Sequence, residues 1–409
     1  MKFLLTLIVG IFFSTNMYAY SYAAAGKEPT IDSKEAIIKA INNDDFVGAK
    51  KVFKELPYLS LENPTLRKQA IEDPKRFLKN FDDGGIIDEI QRVPELFSYI
   101  QVIVDEKKKM GQFILTGSNQ FEYIQKSFQS LAGRMGIIKL LPFSYKELFN
   151  NKIENLDTIL FNGEYPAIFD RKIPAEKYYP SYIETYLERD VRQIKNITDL
   201  NLFQKFLELC AGRTGQILNK KSISNECGIS QPTVENWLTI LEASFIIVRI
   251  QPYFKNLKKR VIRSPKLFFF DTGLACNLLG IHSPQQLNNH PLRGEIFETF
   301  IISEFLKLQF HRGKRSNYHF YRDSNMNEID LIIETGYGSV PVEIKSGQTI
   351  NNSFFKGLDY FRKIENRYKY SGLIYAGERN HHFKDHSIRD FTKVYEMYEE
   401  LTKEKNWHI

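Results

Sequence analysis

Nowhere in its 409 residues does the chain carry a Gly-x-x-x-x-Gly-Lys-Ser/Thr run. That absence excludes the usual phosphate cradle, in which a tight glycine turn binds the β-phosphate and a following hydroxyl ligates Mg²⁺. Cysteine is scarce as well. The three present, Cys210, Cys227 and Cys276, have no metal-type spacing, which excludes a zinc ribbon or a disulfide scaffold and suits packing residues of a reducing compartment. Beyond the first 25 residues no apolar stretch is long enough to cross a bilayer, so no stable membrane span is expected. A strong charge of one sign is also lacking. Fifty-six Lys+Arg against 49 Asp+Glu leave a net +7, which permits contact with DNA without demanding it.

What is present describes an ordinary globular chain, 43% hydrophobic and 26% charged, long enough for two or three domains. Lys2 precedes the apolar run Phe3-Leu-Leu-Thr-Leu-Ile-Val-Gly-Ile-Phe-Phe13, and small residues follow at Met17-Tyr-Ala19 and Ala23-Ala-Ala25. Residues 1–25 therefore have the three-part grammar of a secretory signal. Body composition points to the cytoplasm, and use of the leader would mean export instead. Residues 26–56 read as a helical lead-in.

From 57 to 150 strand and helix signals alternate, with strands expected over 58–61, 86–88, 112–116 and 137–141 and helices over 64–78 and 94–108. That rhythm argues a parallel sheet with helices on its faces. Residues 180–285 turn mostly helical. Within them 222–238 has the form helix, glycine turn, helix, and apolar runs at 246–250 and 267–270 flank the basic stretch Lys255-Asn-Leu-Lys-Lys-Arg260. A third unit over 290–400 opens on an amphipathic helix at 294–307. Strands at 319–322, 328–334 and 340–345, a helix at 354–364 and a strand at 370–376 follow.

Two constellations carry chemistry. In the first, Gly84-Gly-Ile-Ile-Asp-Glu-Ile90 ends a buried strand in adjacent carboxylates, and Phe113-Ile-Leu-Thr-Gly-Ser118 supplies hydroxyls on the next strand. Tyr58-Leu-Ser-Leu-Glu-Asn-Pro64, Asp73-Pro-x-x-Phe-Leu78, Ile87-Asp-Glu-Ile-Gln-Arg-Val-Pro-Glu95, Leu115-Thr-Gly-Ser118 and Ser130-Leu-Ala-Gly-Arg134 occur in order. Over about 57–378 the chain resembles the prokaryotic ATPases that couple an AAA-type core to a C-terminal domain of unknown function. The resemblance implies that Asp88 helps hold Mg²⁺ and Glu89 polarises the attacking water. It also places Thr116 and Ser118 as sensors of the γ-phosphate and Arg134 near transition-state charge, from a neighbouring subunit if the chain self-associates. Where the family has its phosphate loop, this chain has Asp45-Phe-Val-Gly-Ala-Lys-Lys-Val52, so ATP binding is expected to be impaired.

In the second, Asn327-Glu-Ile-Asp-Leu-Ile-Ile-Glu334 and Val340-Pro-Val-Glu-Ile-Lys-Ser346 give an Asp … Glu-x-Lys pattern. Glu343 and Lys345 are two apart on a strand and share a face. Asp330 can join them from the preceding strand, and Glu298 from the leading helix. This resembles the restriction-endonuclease-like superfamily, which implies that Asp330 and Glu343 bind Mg²⁺ while Lys345 activates water beside a phosphodiester.

Between them, the helix-turn-helix form followed by a hairpin resembles a winged helix. Gln231, Thr233 and Asn236 are then the base readers and Lys258, Lys259 and Arg260 the phosphate contacts. The expected fold is α/β: an incomplete P-loop AAA-type core, a winged-helix middle and a restriction-endonuclease-like C-terminal domain. The expected function is an AAA-class ATPase relative associated with DNA. Its alternatives are a Mg²⁺-dependent nuclease or DNA-binding module on a scaffold ATPase half, and a truncated relic without function.

Overall fold

Glycine fixes the entry to the strand that bears the paired acids. Gly84 has φ +104°, and a Cβ there would stand 2.0 Å from the carbonyl oxygen of Gln112. Only glycine tolerates both that backbone and that approach. The computed structural model describes residues 8–12 and 56–403 except 82, 108–111, 118–134, 140, 151, 187–196, 198 and 254–262, with backbone alone at 8–12 and 135–138. The chain forms two units, Met1–Leu141 with Phe310–Lys314, and Pro142–Gln309 with Arg315–Ile409.

The first unit holds a five-stranded sheet of β1 (Ile8–Phe12), β2 (Tyr58–Ser60), β3 (Gly85–Asp88), β4 (Phe113–Leu115) and β5 (Met135–Lys139), in the order β2-β3-β4-β1-β5. β2, β3 and β4 run parallel, pairing Ser60 with Asp88 and Ile87 with Leu115. Inside the segment expected to be a leader, β1 lies between β4 and β5, antiparallel to both. A short, continuous, β-branched and aromatic run suits a strand paired on both sides. The helix expected over 64–78 is two, Pro64–Glu72 and Pro74–Leu78. Pro74 cannot continue a ladder of N–H donors, and the Asp73 carboxylate instead caps the second helix by accepting from Arg76 N. Phe77, Phe81, Ile87, Leu96, Ile100, Phe113 and Leu115 form the core of this unit.

In the second unit β6 (Gln216–Ile217), β7 (Ile247–Pro252), β8 (Lys266–Phe269), β9 (Tyr318–Arg322), β10 (Glu328–Glu334), β11 (Ser339–Lys345), β12 (Ser371–Tyr375), β13 (His381–Phe383) and β14 (His386–Asp390) make one mixed sheet. Its order is β13-β14-β12-β11-β10-β9-β7-β8-β6. Helices Lys220–Cys227 and Gln231–Ala243 meet at Gly228, whose φ of +75° makes the turn. The antiparallel β7–β8 pair that follows is joined to β9 through Gln251 and Pro252. The helix expected over 294–307 runs Arg293–Phe310, and it is not amphipathic. Ile296, Phe297, Phe300, Ile301 and Phe305 are buried, but so are Thr299, Glu304 and Lys307, which meet Thr214, Tyr145 N and Phe143 O on the other sides of the helix. All three cysteines are free and buried.

Candidate functional site

In the first unit the parallel register brings three strand ends to one carboxylate. Tyr58 donates to Asp88 Oδ2 at 3.0 Å and Ser60 to the same oxygen at 2.8 Å, while Thr116 donates to Oδ1 at 2.5 Å. Asp88 is 1% exposed, so these hydroxyls are its immediate surroundings. A cation reaching it would have to turn at least one of them aside. Glu89 is buried beside it at φ 56°, ψ 42°, a left-handed backbone that no glycine eases. Its carboxylate accepts from Gln91 Nε2, with Arg92 Nε 4.0 Å away. Burial, then the neighbouring Asp88 charge, pushes the Glu89 carboxyl above its ordinary value. Thr116 is thus brought to Asp88 as the parallel sheet requires. Ser118, Arg134 and residues 45–52 lie outside the described residues.

In the second unit Asp330, Glu343 and Lys345 come together. Extending the β10–β11 register, in which Leu331 pairs with Val342, sets Asp330 opposite Glu343. The pairing of β10 with β9 shifts by one residue between Ile329 and Ile332, a bulge that re-aims Asp330. Lys345 Nζ stands 2.7 Å from Glu343 Oε1 and 3.1 Å from Asp330 Oδ2, and Ile344 N donates to that same Oδ2 at 2.8 Å. Glu343 Oε2 is buried with no hydrogen-bond partner among the described residues. The helix Lys356–Arg362 closes over it at Gly357, where a Cβ would stand 2.6 Å from the carbonyl oxygen of Glu328 and 3.5 Å from that Oε2.

Glu298 lines a cavity of about 570 Å³ together with Asp330 and Lys345 but without Glu343, and its partner is not Lys345. Lys266 Nζ lies 2.9 Å from Glu298 Oε1 and 2.6 Å from Glu328 Oε1, and Arg322 takes the other Glu328 oxygen at 3.4 Å. Lys266, Glu328 and Arg322 were not anticipated. Glu328 had a signal, standing two before Asp330 and so on its face. Lys266 had a fainter one, a lone lysine opening the apolar run Leu267-Phe-Phe-Phe270.

The electrostatics divide these acids. Burial, reinforced by the Asp330 charge, raises Glu343 to about 8. Burial likewise raises Glu298 to about 7, with Lys266 pulling the other way. Burial also works on Asp330, yet Lys345 and Lys266 outweigh it and hold that carboxyl below its ordinary range. Among the described residues no three His, Cys, Asp or Glu side chains are grouped to hold a metal ion. Of the acids here, Asp330 and Glu343 are the pair that would serve a hard divalent cation as ligands.

Of the expected base readers, Gln231 and Asn236 are exposed. Thr233 is committed to its helix start, its Oγ1 lying 2.8 Å from Ser230 Oγ. Glu235 on the same helix pairs with Lys220 and Arg249. Lys258, Lys259 and Arg260 lie outside the described residues. Among the described residues no helix is long and apolar enough to cross a membrane.

Three regions match family models: residues 39–149 an AAA domain, 153–285 the domain of unknown function DUF8612, and 293–396 the domain of unknown function DUF4143. An uncharacterized protein of Mycobacterium tuberculosis is 26% identical over 328 residues, which cover 79% of this chain and 71% of the relative, and one of Mycobacterium bovis matches equally. An uncharacterized protein of Haemophilus influenzae is 24% identical over 182 residues, 41% of this chain and 46% of its own length. No solved structure matches significantly. The chain thus carries an AAA-type α/β region with a parallel three-stranded core, followed by two regions of unknown function.

Proposed function

We propose that this chain is an AAA-class ATPase relative that keeps the metal-and-water end of a nucleotide site without the phosphate grip, binds ATP weakly, and works at DNA. One observation carries the reading: Asp88 and Glu89 close a parallel strand among three hydroxyls, while the sequence supplies no glycine-rich cradle to face them. The direction of β1 supports it. A phosphate loop leaves its strand at the carboxyl edge of a parallel sheet, beside Asp88. Because β1 is antiparallel to β4, its carboxyl end, at Phe12, lies at the opposite edge. The exposed Gln231 and Asn236, and exposed Lys221 on the preceding helix, support the DNA half. The test is the melting shift produced by ATP with Mg²⁺, beside DNA binding read by fluorescence anisotropy at several salt concentrations. No nucleotide shift with salt-sensitive DNA binding is expected. A shift abolished by Glu89→Gln would overturn the nucleotide half, and absence of DNA binding the other.

A second reading, a Mg²⁺-dependent nuclease, is favoured by Lys345 standing between Asp330 and Glu343, whose Oε2 has no hydrogen-bond partner among the described residues. Asp330 and Glu343 would hold Mg²⁺, which when bound supplies Lewis-acid polarisation of a phosphodiester. Lys345 would hold a phosphate oxygen or the attacking water with its ammonium. Mg²⁺-dependent plasmid cleavage lost in Lys345→Ala is the expected result, and cleavage unchanged in that variant counts against it.

A further inference from the structure

The helix Gln231–Ala243, the second of the pair that meets at Gly228, contains no lysine and no arginine. Val234, Trp237, Leu238, Ile240 and Leu241 form its buried side. Gln231, Pro232, Asn236 and Thr239 are exposed, and Glu235 lies partly buried among them. At 3.6 residues per turn these five fall within one arc of about 140°, so the helix presents a single face.

The polar groups of that face are not equally free. Glu235 is held by Lys220 at 3.0 Å and by Arg249 at 2.6 Å, and Arg249 also pairs with Glu242 at 2.5 Å. Two acids and two bases cancel there, which leaves neither a cation to seek guanine nor a bare carboxylate to seek cytosine. Thr239 spends its hydroxyl on the carbonyl of Glu235, and Thr233 on Ser230. The amides of Gln231 and Asn236 have no hydrogen-bond partner among the described residues. Each sets a donor beside an acceptor, the complement of the ring nitrogen and exocyclic amine that adenine shows in the major groove. Guanine shows two acceptors there and calls for a basic side chain instead. Pro232, next to Gln231, is an exposed apolar ring of the kind that meets a thymine methyl group. Lys221, exposed on the preceding helix, is placed for phosphate.

We propose that this face reads A·T pairs in the major groove of duplex DNA, with Gln231 and Asn236 each taking an adenine and Pro232 packing on a thymine methyl. Five residues of helix rise, about 7.5 Å, separate the two amides, which suits adenines about two base steps apart. Lys220 and Arg249 neutralise the one acid on the face, Glu235, that would otherwise repel the duplex. The inference rests on the reading of this unit as DNA-binding and adds to it which base pairs are preferred.

The experiment selects duplexes from a randomised pool with the full chain in EDTA, then compares selected and G·C-only duplexes of equal length by fluorescence anisotropy. Selected duplexes are expected to share A·T pairs and to bind about tenfold more tightly. Replacing those adenines by 7-deazaadenine, which keeps the base pair but removes the major-groove acceptor, should cost most of that advantage. Gln231→Ala and Asn236→Ala should each narrow the gap between the two duplexes several-fold, and because both side chains are exposed their Tm should match wild type. Lys221→Ala should instead weaken both duplexes together and flatten the salt dependence. A selected set without A·T pairs, or a preference untouched by 7-deazaadenine and by both alanines, would overturn the amide reading and leave DNA binding standing. No binding to any duplex would overturn the DNA reading, and this proposal with it, and would assign the face to a protein partner.

Discussion

The backbone N–H of Ile344 donates to Asp330 Oδ2 at 2.8 Å, so this carboxylate is aimed by the neighbouring strand as well as by its own bulge. Asparagine at 330 can still accept that bond through its amide oxygen but cannot answer the charge of Lys345. Asp330→Asn therefore isolates the charge from the geometry. Breaking one partner of a buried pair costs about 3 kcal/mol, to be read from urea unfolding at neutral pH. The sign with pH follows from the depressed carboxyl: its stabilisation is full above the unfolded value of 3.8 and is lost only as pH falls through the lower folded value. The gap between wild type and variant should thus hold from about pH 8 to about pH 5. A gap that closes already by pH 6 would mean Asp330 is not held by the lysines.

Glu343 has the opposite sign. Its folded carboxyl titrates near 8 against an ordinary 4.5, so the folded state keeps a proton that the unfolded state has already lost. Wild-type stability falls as pH rises through that window, because the folded state must finally bury the charge. Glu343→Gln has no such proton to lose. Its Tm relative to wild type should improve steadily between about pH 5 and about pH 9. A variant that loses ground over that range would contradict the assignment. Divalent-ion affinity should rise with pH through the same window, since a ligating carboxylate has to be deprotonated.

How much of this was legible depends on distance along the chain. The Glu343 and Lys345 pair could be read directly, because a strand repeats every two residues and both face one side. Asp330 followed because β10 and β11 are sequential and antiparallel. Asp88 and Thr116 followed from the parallel rhythm of β3 and β4. Lys266 could not be read in this way. It meets Glu298 only because the β7–β8 pair joins the larger sheet through Gln251 and His319, a pairing that no local pattern announces. The placement of β1 between β4 and β5 was hidden for a different reason, since a short apolar run before small residues satisfies leader grammar and inner-strand chemistry alike. Nor does sequence report backbone dihedrals, and so the left-handed Glu89 was invisible.

That dihedral makes a prediction of its own. Holding a non-glycine residue at φ 56° costs about 1 kcal/mol, and burial beside Asp88 adds to the burden on the Glu89 carboxylate. Against this stand one bond from Gln91 and a distant Arg92. Glu89→Gly relieves the backbone and removes the buried charge together, and should raise stability by about 1 kcal/mol in urea unfolding. Glu89→Ala removes only the charge and should gain less. If glycine proves less stable than alanine here, the left-handed turn is not a source of strain.

The buried network around Lys307 tests how the second unit tolerates charge. Lys307 is wholly enclosed, donating to Phe143 O at 2.8 Å, to Glu304 Oε1 at 2.8 Å and to Glu164. Glu304 in turn accepts from Tyr145 N at 2.9 Å. Burial raises Glu164 well above the ordinary carboxyl range even with Lys307 beside it, so removing the ammonium leaves both acids without their counter-charge. Lys307→Met should cost about 3–5 kcal/mol at pH 8, against a smaller loss at pH 5 where protonation relieves Glu164. Adding Glu164→Gln to that variant should recover part of the loss, because it removes one orphaned acid while keeping a hydrogen-bonding side chain. Urea unfolding of the four proteins in the cycle gives the coupling between the two positions. Additive losses, with no dependence on pH, would show that Lys307 holds this core by packing and not by charge.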